Sequence, residues 1–322
     1  MMVNRTGMIA NKKQDFNINI KRMSKYEGSM EIRVSKEVPL LQYPAFDNIA
    51  FVRHGFSTRW GGVSEGIYSS MSFKEDGEDS DANIRENYRR MAVALGCDVK
   101  KMVRSKLCHG TKVHKVEPED FGIGVLAKST LLDIDGLITN IPGVTLAATF
   151  ADCVPLYMID TKHKAVGLAH SGWRGTVDQI GLHMLQAMKE HYATEPDNLQ
   201  IAIGPCICGD CYEVGQELHD AFVKKFSGEI ESKTGIRFAD ICKELPVAAY
   251  MKQNSMDSKH SIKKYHLDLR LANLMTFLAA GVPIEQIEIA DICTCCNPEM
   301  IFSHRFTSGK RGVSAAFLGI HE

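Results

Sequence analysis

The sequence lacks the features that would assign it to a membrane or to nucleic acid. No apolar run approaches the roughly 20 residues that cross a bilayer, and the first fifteen residues hold no apolar stretch typical of a secretory signal. The 322 residues carry a formal net charge of −1, with neither a basic excess nor a charged block. We therefore predict a cytoplasmic protein that binds neither membranes nor nucleic acid.

Internal repeats and linkers rich in proline, glycine or serine are also missing, so nothing marks a domain boundary. Residues 1–30 are polar and lysine-rich, which predicts a poorly ordered N-terminal extension. Residues 31–322 mix strand and helix patterns without a strict alternation, and 44% of the chain is hydrophobic. This pattern predicts one large α+β domain built in layers.

The chain is too long for a small disulfide scaffold, so its ten cysteines are expected to be reduced thiols. Six of them form two trios, and four of these six have the chemistry to hold a structural zinc ion. However, we find in neither trio the paired spacing of a zinc ribbon, and packed thiols are the default expectation. The trios are Cys206, Cys208 and Cys211, and Cys293, Cys295 and Cys296.

Residues 145–176 organise the rest of the chain. They predict a strand, a tight turn, a hairpin of two apolar strands and the start of a helix at Thr176, with Gln179 completing a capping box. Strands that are apolar at consecutive positions are buried on both faces, which implies layers on either side of the sheet. Cys153 lies in the turn and His170 at the end of the last strand, where a cleft is expected.

A simple antiparallel hairpin brings Cys153 and His170 together, and His109, at a strand break next to a glycine, is a candidate third ligand. Three protein ligands with one open position are the arrangement of a catalytic zinc. His114 and His163 are rival ligands, and three structural residues are the plain alternative. A further alternative makes Cys153 a nucleophile and His170 its base, with Asp152 orienting the imidazole.

Three arginines lie near these motifs, and guanidinium groups and helix N-termini suit phosphate. Solvated or ion-paired arginines are the alternative. These arginines are Arg59 beside a glycine pair, Arg174 at a predicted helix start, and Arg305. The sequence has twelve scattered histidines and no His-x-His pair, so it does not offer the imidazoles that a multicopper oxidase needs.

Several motifs over about residues 45–320 resemble the YfiH family, described variously as multicopper polyphenol oxidoreductases (laccases), peptidoglycan editing factors and purine nucleoside phosphorylases. The separation of A-D-C-V-P from A-H-S-G-W-R-G is the most specific feature. The other motifs are S-T-R-W-G-G-V-S, R-E-N-Y-R-R, C-H-G-T-K-V, I-G-P-C-I-C-G-D-C-Y-E-V-G, C-T-C-C-N-P-E and F-S-H-R-F.

The resemblance implies an α/β/β/α sandwich related to Cys–His deamidases of the cytotoxic-necrotising-factor type. It implies zinc, with copper less favoured, held by His109, Cys153 and His170. The implied substrates are purine nucleosides and phosphate: phosphorolysis of adenosine, inosine, guanosine and methylthioadenosine, and deamination of adenosine. We expect Cys153, Asp152 and Arg59 to be catalytic, and phosphate or substrate to contact a set consisting of Arg59, Ser64, Arg174 and Arg305.

Other functions use the same residues. One is a copper phenol oxidase, another is a Cys–His amidase or deamidase that edits peptidoglycan precursors, and a third is a partner-binding metalloprotein without enzymatic activity. Metal content and the response to chelation distinguish these alternatives.

Overall fold

Two mixed sheets form the centre of the fold in a computed structural model that describes residues 20–26, 28–75, 77, 79–246 and 263–322. The first sheet contains, in spatial order, β1 (Glu31–Ser35), β2 (Val38–Gln42), β3 (Val52–Ser57), β15 (Ser314–Ile320), β7 (Thr145–Phe150) and β4 (Met102–Arg104). The second contains β14 (Ile287–Ile289), β10 (Leu199–Ile203), β8 (Val154–Asp160), β9 (Ala165–Ser171), β6 (Gly136–Thr139) and β5 (Val113–Lys115).

A small third sheet and short helices accompany these two. The sheet is formed by β11 (Glu213–Gly215), β13 (Lys264–Leu267) and β12 (Cys242–Glu244). The helices are α1 (Asp81–Leu95), α2 (Trp173–Val177), α3 (Ile180–Tyr192), α4 (Gln216–Phe226), α5 (Glu229–Thr234), α6 (Phe238–Ile241), α7 (Leu269–Ala279) and α8 (His304–Thr307). In the part of the chain that the structure describes, no helix has both the length and the apolar character needed to cross a membrane.

The core is divided into layers. Side chains such as Leu146 and Leu318 of the first sheet pack against Tyr157 and Leu168 of the second, so a buried apolar layer lies between the sheets. The outer face of the first sheet is covered by α1, and the outer face of the second by α3 and α7. This order of helix, sheet, sheet and helix confirms the predicted α+β sandwich, because a sheet that is apolar on both faces needs a cover on each.

The two ends of α1 follow the usual capping chemistry. The Ser80 hydroxyl accepts the backbone N–H of Asn83 at 3.1 Å, and Gly96 ends α1 with a φ of +65°. Ile84, Tyr88 and Met91 form the buried face of this helix.

The predicted capping box at Thr176 is wrong. Thr176 lies inside α2, where its hydroxyl donates to the carbonyl of Gly172 at 2.9 Å. The chain breaks at Gln179, which has a φ of +58°, and α3 starts afterwards at Ile180. A local sequence signal was overridden by the tertiary bonds of the buried Thr176 side chain, which also contacts Ser171 and Asn273.

Most of the predicted extension of residues 1–30 lies outside the described residues. Its described part packs against the loop after β14: the guanidinium of Arg22 pairs with Asp291, and the Lys21 amide donates to Asn297 Oδ1 at 2.8 Å. Met30 is buried in the layer between the sheets.

Candidate metal centre

The hairpin of β8 and β9 positions the first two residues of the centre. The antiparallel register pairs Val154 with Ser171 and Pro155 with His170, so Cys153, just before β8, comes to the end of β9 that holds His170. His109 reaches the same place from the loop between β4 and β5, with a φ of +65°. The ligand atoms of His109, Cys153 and His170 all lie within 4.8 Å of one another.

A carboxylate that the sequence analysis did not identify orients both histidines. Asp135, just before β6, accepts Nδ1–H of His170 at 2.9 Å and the backbone N–H of His109 at 3.0 Å. The amides of Cys108 and Gly110 donate to the same carboxylate at 3.0 and 2.9 Å. This bond points the other ring nitrogen of His170, Nε2, toward Cys153 and His109. Asp135, and not Asp152, therefore orients the His170 imidazole.

Charges inside the centre shift the pKa values in opposite directions. Burial raises the pKa of the Cys153 thiol, but the charge of His170 and hydrogen bonds from His109 and His170 outweigh burial and lower it to about 6. Burial lowers the pKa of His170, but Cys153 and Asp135 together raise it to about 9. The metal-free centre therefore holds a thiolate beside an imidazolium, and a metal ion would replace the imidazolium proton.

The donor set fits a metal ion. Four ligands around zinc lie about 3.3–3.8 Å from one another. The three ligand atoms here lie within 4.8 Å of one another, so small side-chain rotations would bring them to the separation that zinc requires. His170 is buried while His109 is exposed, so the centre is anchored on one side and open on the other. Gly172 allows this approach, because a Cβ there would lie 2.8 Å from Cδ2 of His109.

The rival histidines are occupied elsewhere. His114 Nε2 lies 2.7 Å from Asp120, and His163 Nδ1 lies 2.8 Å from Asp160. Across the described residues, the only other group of three or more potential metal ligands consists of four cysteines. The described part of the chain therefore holds no cluster of imidazoles of the kind that a trinuclear copper site needs.

Asp152 is buried next to the centre with a φ of +90°. Its carboxylate accepts the Thr294 hydroxyl and the Arg305 backbone N–H, both at 2.6 Å, and its carbonyl accepts the Ile207 amide at 3.0 Å. These bonds hold the turn that presents Cys153. Its role as a proton carrier stays a prediction.

The predicted anion-binding residues are dispersed around this turn. Arg174 is exposed and stacks 4.3 Å above the Trp173 ring, and Arg305 lies 5.2 Å above the Tyr212 ring. The Tyr212 hydroxyl interacts electrostatically with both arginines and with Cys153. Arg174 and Arg305 therefore both lie near Tyr212, which itself interacts with Cys153.

Arg59 and Ser64 have structural partners. The Arg59 guanidinium donates to the Pro298 carbonyl at 2.6 Å and stacks 4.5 Å above the Phe302 ring. Ser64 is buried, and its hydroxyl accepts Nδ2 of Asn87 at 2.9 Å. Both residues hold the glycine-containing loop in place, and their contact with phosphate stays a prediction.

Arg311 is a further cation that the sequence analysis missed. It is half-buried and interacts electrostatically with Asp152 and Cys153, and burial lowers the pKa of its guanidinium. Its Nε is buried without a hydrogen-bond partner. The only sequence signal was its place in a short basic segment before β15.

The structure also corrects the interpretation of the cysteine trios. Cys208 and Cys211 are separated by two residues, and so are Cys293 and Cys296, so the paired spacing is present once Cys206 and Cys295 are set aside. These four are the second group of potential metal ligands.

Comparisons with known proteins agree with this fold. The profile of a family described as multi-copper polyphenol oxidoreductase laccase matches residues 53–321. Purine nucleoside phosphorylase YlmD of Bacillus subtilis is 34% identical over 83% of this chain and 88% of its own. Adenosine deaminase RL5, from an unknown prokaryotic organism, is 30% identical over 78% of this chain and 87% of its own.

Solved structures also match the fold of this chain. The crystal structure of YlmD from Geobacillus stearothermophilus has a TM-score of 0.74 and 31% identity, and covers 90% of this chain and 99% of its own. That of Bacillus licheniformis YfiH has a TM-score of 0.76 and 29% identity, and covers 89% of this chain and 98% of its own.

Proposed function

Because the chain belongs to the multi-copper polyphenol oxidoreductase laccase family, we propose that it is a zinc-dependent purine nucleoside enzyme. The names of its relatives, purine nucleoside phosphorylase and adenosine deaminase, support this substrate class. The observation that carries the proposal is the group formed by His109, Cys153 and His170, with a buried carboxylate orienting His170 and an exposed side for substrate.

Two reactions are proposed at the same centre. In phosphorolysis, a phosphate oxygen bonds to the anomeric carbon of the ribose while the bond to the purine nitrogen breaks, and the purine leaves with a proton. In deamination, water adds to the adenine carbon that bears the amine, and ammonia leaves. A zinc ion at the centre supplies Lewis-acid chemistry to these polar groups.

The protein residues divide the remaining tasks. Asp135 fixes the imidazole of His170, so the centre needs little rearrangement before reaction. Arg174 and Arg305 are assigned to the phosphate because they converge on Tyr212 beside Cys153. Arg59 stays in the phosphate-binding set, and Ser64 supports its loop. Each carboxylate oxygen of Asp152 retains a lone pair beyond its one hydrogen bond, and we assign Asp152 to carry the purine proton.

Incubation of purified protein with adenosine tests the proposal. With phosphate we expect adenine and ribose 1-phosphate, and without phosphate only inosine and ammonia. Cys153→Ala should lose both reactions, whereas Cys97→Ala, a half-buried cysteine after α1, should keep them. A wild-type protein that forms no product, or an active Cys153→Ala variant, would refute the assignment.

A second candidate function is supported by the same geometry. Cys153, His170 and Asp135 follow the order of nucleophile, base and orienting carboxylate, and the pKa of Cys153 is lowered to about 6. This arrangement suits a Cys–His amidase or deamidase acting on peptidoglycan precursors. Amide hydrolysis that survives exhaustive chelation would support it, whereas loss of all activity on chelation with recovery on added zinc would exclude it.

The third candidate is a copper phenol oxidase, since two histidines and one cysteine are also the ligands of a type 1 copper site, but the described residues lack the imidazoles of a trinuclear cluster. Elemental analysis of the purified protein decides this point. Copper together with oxygen uptake on phenols would support it, and zinc without oxygen uptake would exclude it.

A further inference from the structure

A second cysteine group lies on two loops and shares no residue with the triad of His109, Cys153 and His170. Cys208 and Cys211 belong to the loop after β10, and Cys293 and Cys296 to the loop after β14. Their four sulfur atoms lie within 4.8 Å of one another. The sulfurs of Cys211 and Cys296 are 3.4 Å apart, and those of Cys208 and Cys296 are 4.0 Å apart.

These separations suit ligands of one ion. A disulfide needs about 2.05 Å between sulfurs, whereas two thiolates on a tetrahedral zinc, each about 2.3 Å from the metal, lie about 3.8 Å apart. The observed 3.4 and 4.0 Å fall on either side of that separation.

The backbone of both loops is arranged around the sulfurs. The sulfur of Cys293 accepts the amide N–H of Cys208 at 3.2 Å and that of Cys296 at 3.4 Å. An isolated bridge pairs Cys206 with Cys293 in parallel, and the Thr294 amide donates to the Cys206 carbonyl at 3.1 Å. Amide groups that point at a sulfur stabilise negative charge on it, as at metal-bound thiolates.

A buried cation accompanies the group. Arg270, on α7, is only 1% exposed and interacts electrostatically with Cys206, Cys208 and Cys293. Among the described residues, its Nε and Nη1 atoms have no hydrogen-bond partner, and its ion pair there is with Asp268, with Nε 3.5 Å from Oδ1. A buried charge needs compensation. Four thiolates around a divalent ion carry a net charge of −2 and would provide it.

We propose that Cys208, Cys211, Cys293 and Cys296 bind one structural zinc ion, separate from the catalytic centre. Four sulfur ligands close the coordination sphere and leave no position for substrate, so the role of this site is structural. The ion would tie together the two loops that hold Asp152, since Ile207 bonds the Asp152 carbonyl and Thr294 bonds its carboxylate.

The test compares metal content among variants purified without chelators. Cys208→Ser and Cys296→Ser should each contain one zinc fewer per chain than wild type. Cys295→Ser is the matched control, because Cys295 lies in the same loop but outside the group, and its zinc content should be unchanged. Cobalt-reconstituted wild type should show intense sulfur-to-metal charge transfer, and both ligand variants should lose most of it, because only the Cys153 thiolate of the triad still contributes.

A measurement that leaves the four cysteines intact covers the case in which a serine variant fails to fold. In Cys153→Ala, which lacks the sulfur ligand of the triad, X-ray absorption at the zinc edge should show four sulfurs at about 2.3 Å. This result does not depend on the proposed nucleoside chemistry. Equal zinc content in wild type and both ligand variants, a disulfide between Cys211 and Cys296, iron in place of zinc, or fewer than four sulfurs would overturn the proposal.

Discussion

The triad and the four-cysteine group differ in how the chain supplies their ligands. The triad draws one residue from each of three separate segments, mixes nitrogen with sulfur, and has an exposed member in His109. The cysteine group draws two pairs from two loops and uses sulfur alone. Reactivity goes with the open, mixed arrangement and stability with the closed, uniform one. Under the two proposals, one chain assigns catalysis and structural support to separate sets of ligands.

The largest expected effect is the loss of activity when the triad loses its cysteine. Cys153→Ala should lower kcat/KM on adenosine by roughly 1,000-fold or more, because the Lewis-acid contribution of a metal is several kcal/mol. The melting temperature of Cys153→Ala should stay close to that of wild type, whereas Cys208→Ser should unfold at a much lower temperature. Steady-state kinetics and calorimetry on both variants measure the two effects. Equal loss of activity and of stability in both would mean that the groups are not functionally distinct.

The next effect concerns the carboxylate that only the triad possesses. Asp135→Asn should weaken metal binding and kcat/KM by about 10–100-fold, since partners that orient metal ligands contribute this much. The amide replaces one acceptor oxygen by a donor that faces the amides of Cys108 and Gly110. Competition with a chromophoric chelator measures the affinity. Asp133→Asn, at an exposed neighbour, is the control, and an equal loss there would remove the specific role of Asp135.

A smaller effect is expected from steric crowding at the triad, which the cysteine group should not feel. Gly172→Ala places a methyl group 2.8 Å from Cδ2 of His109 and 3.3 Å from the Cys153 sulfur, so one ligand must move. We expect a several-fold drop in kcat/KM with the zinc of the cysteine group retained. Gly215→Ala, where a Cβ would meet nothing within 4 Å, is the matched control. Unchanged kinetics in Gly172→Ala would show that the triad tolerates displacement.

The smallest effect belongs to a buried histidine in neither group. His54 accepts the Tyr43 amide at 2.8 Å, and burial lowers its pKa from 6.5 to about 4. Between these values the unfolded chain binds the proton and the folded protein does not. The free energy of unfolding should therefore fall as the pH drops from 6.5 to 4, by up to about 1.4 kcal/mol per pH unit.

His54→Gln keeps an acceptor for the Tyr43 amide and removes this titration. Urea unfolding of the variant across that pH range should show a shallower loss of stability than wild type, with activity at neutral pH unchanged. Parallel stability curves for the two proteins would contradict the assigned pKa.

The sequence correctly predicted those features of the fold that depend on residues close together in the chain or on recognisable motifs. The layered α+β domain and the hairpin of β8 and β9 follow from the apolar pattern, and the α/β/β/α order was implied by the family resemblance. Asp135 was missed because it lies 26 residues from His109 and 35 from His170, and a lone acid before a strand is an ambiguous signal. The break at Gln179 was missed because buried tertiary bonds of Thr176 outweigh its local preference.

The position of β15 has a consequence for how the molecule is made. This strand, drawn from the last part of the chain, pairs with both β3 and β7 in the interior of the first sheet. Until Ser314–Ile320 are in place, β3 and β7 each keep an unpaired edge, which neighbouring chains can use for aggregation. The first sheet therefore completes its pairing only after this strand docks, and a chain in which the strand is undocked is the form that chaperones should protect.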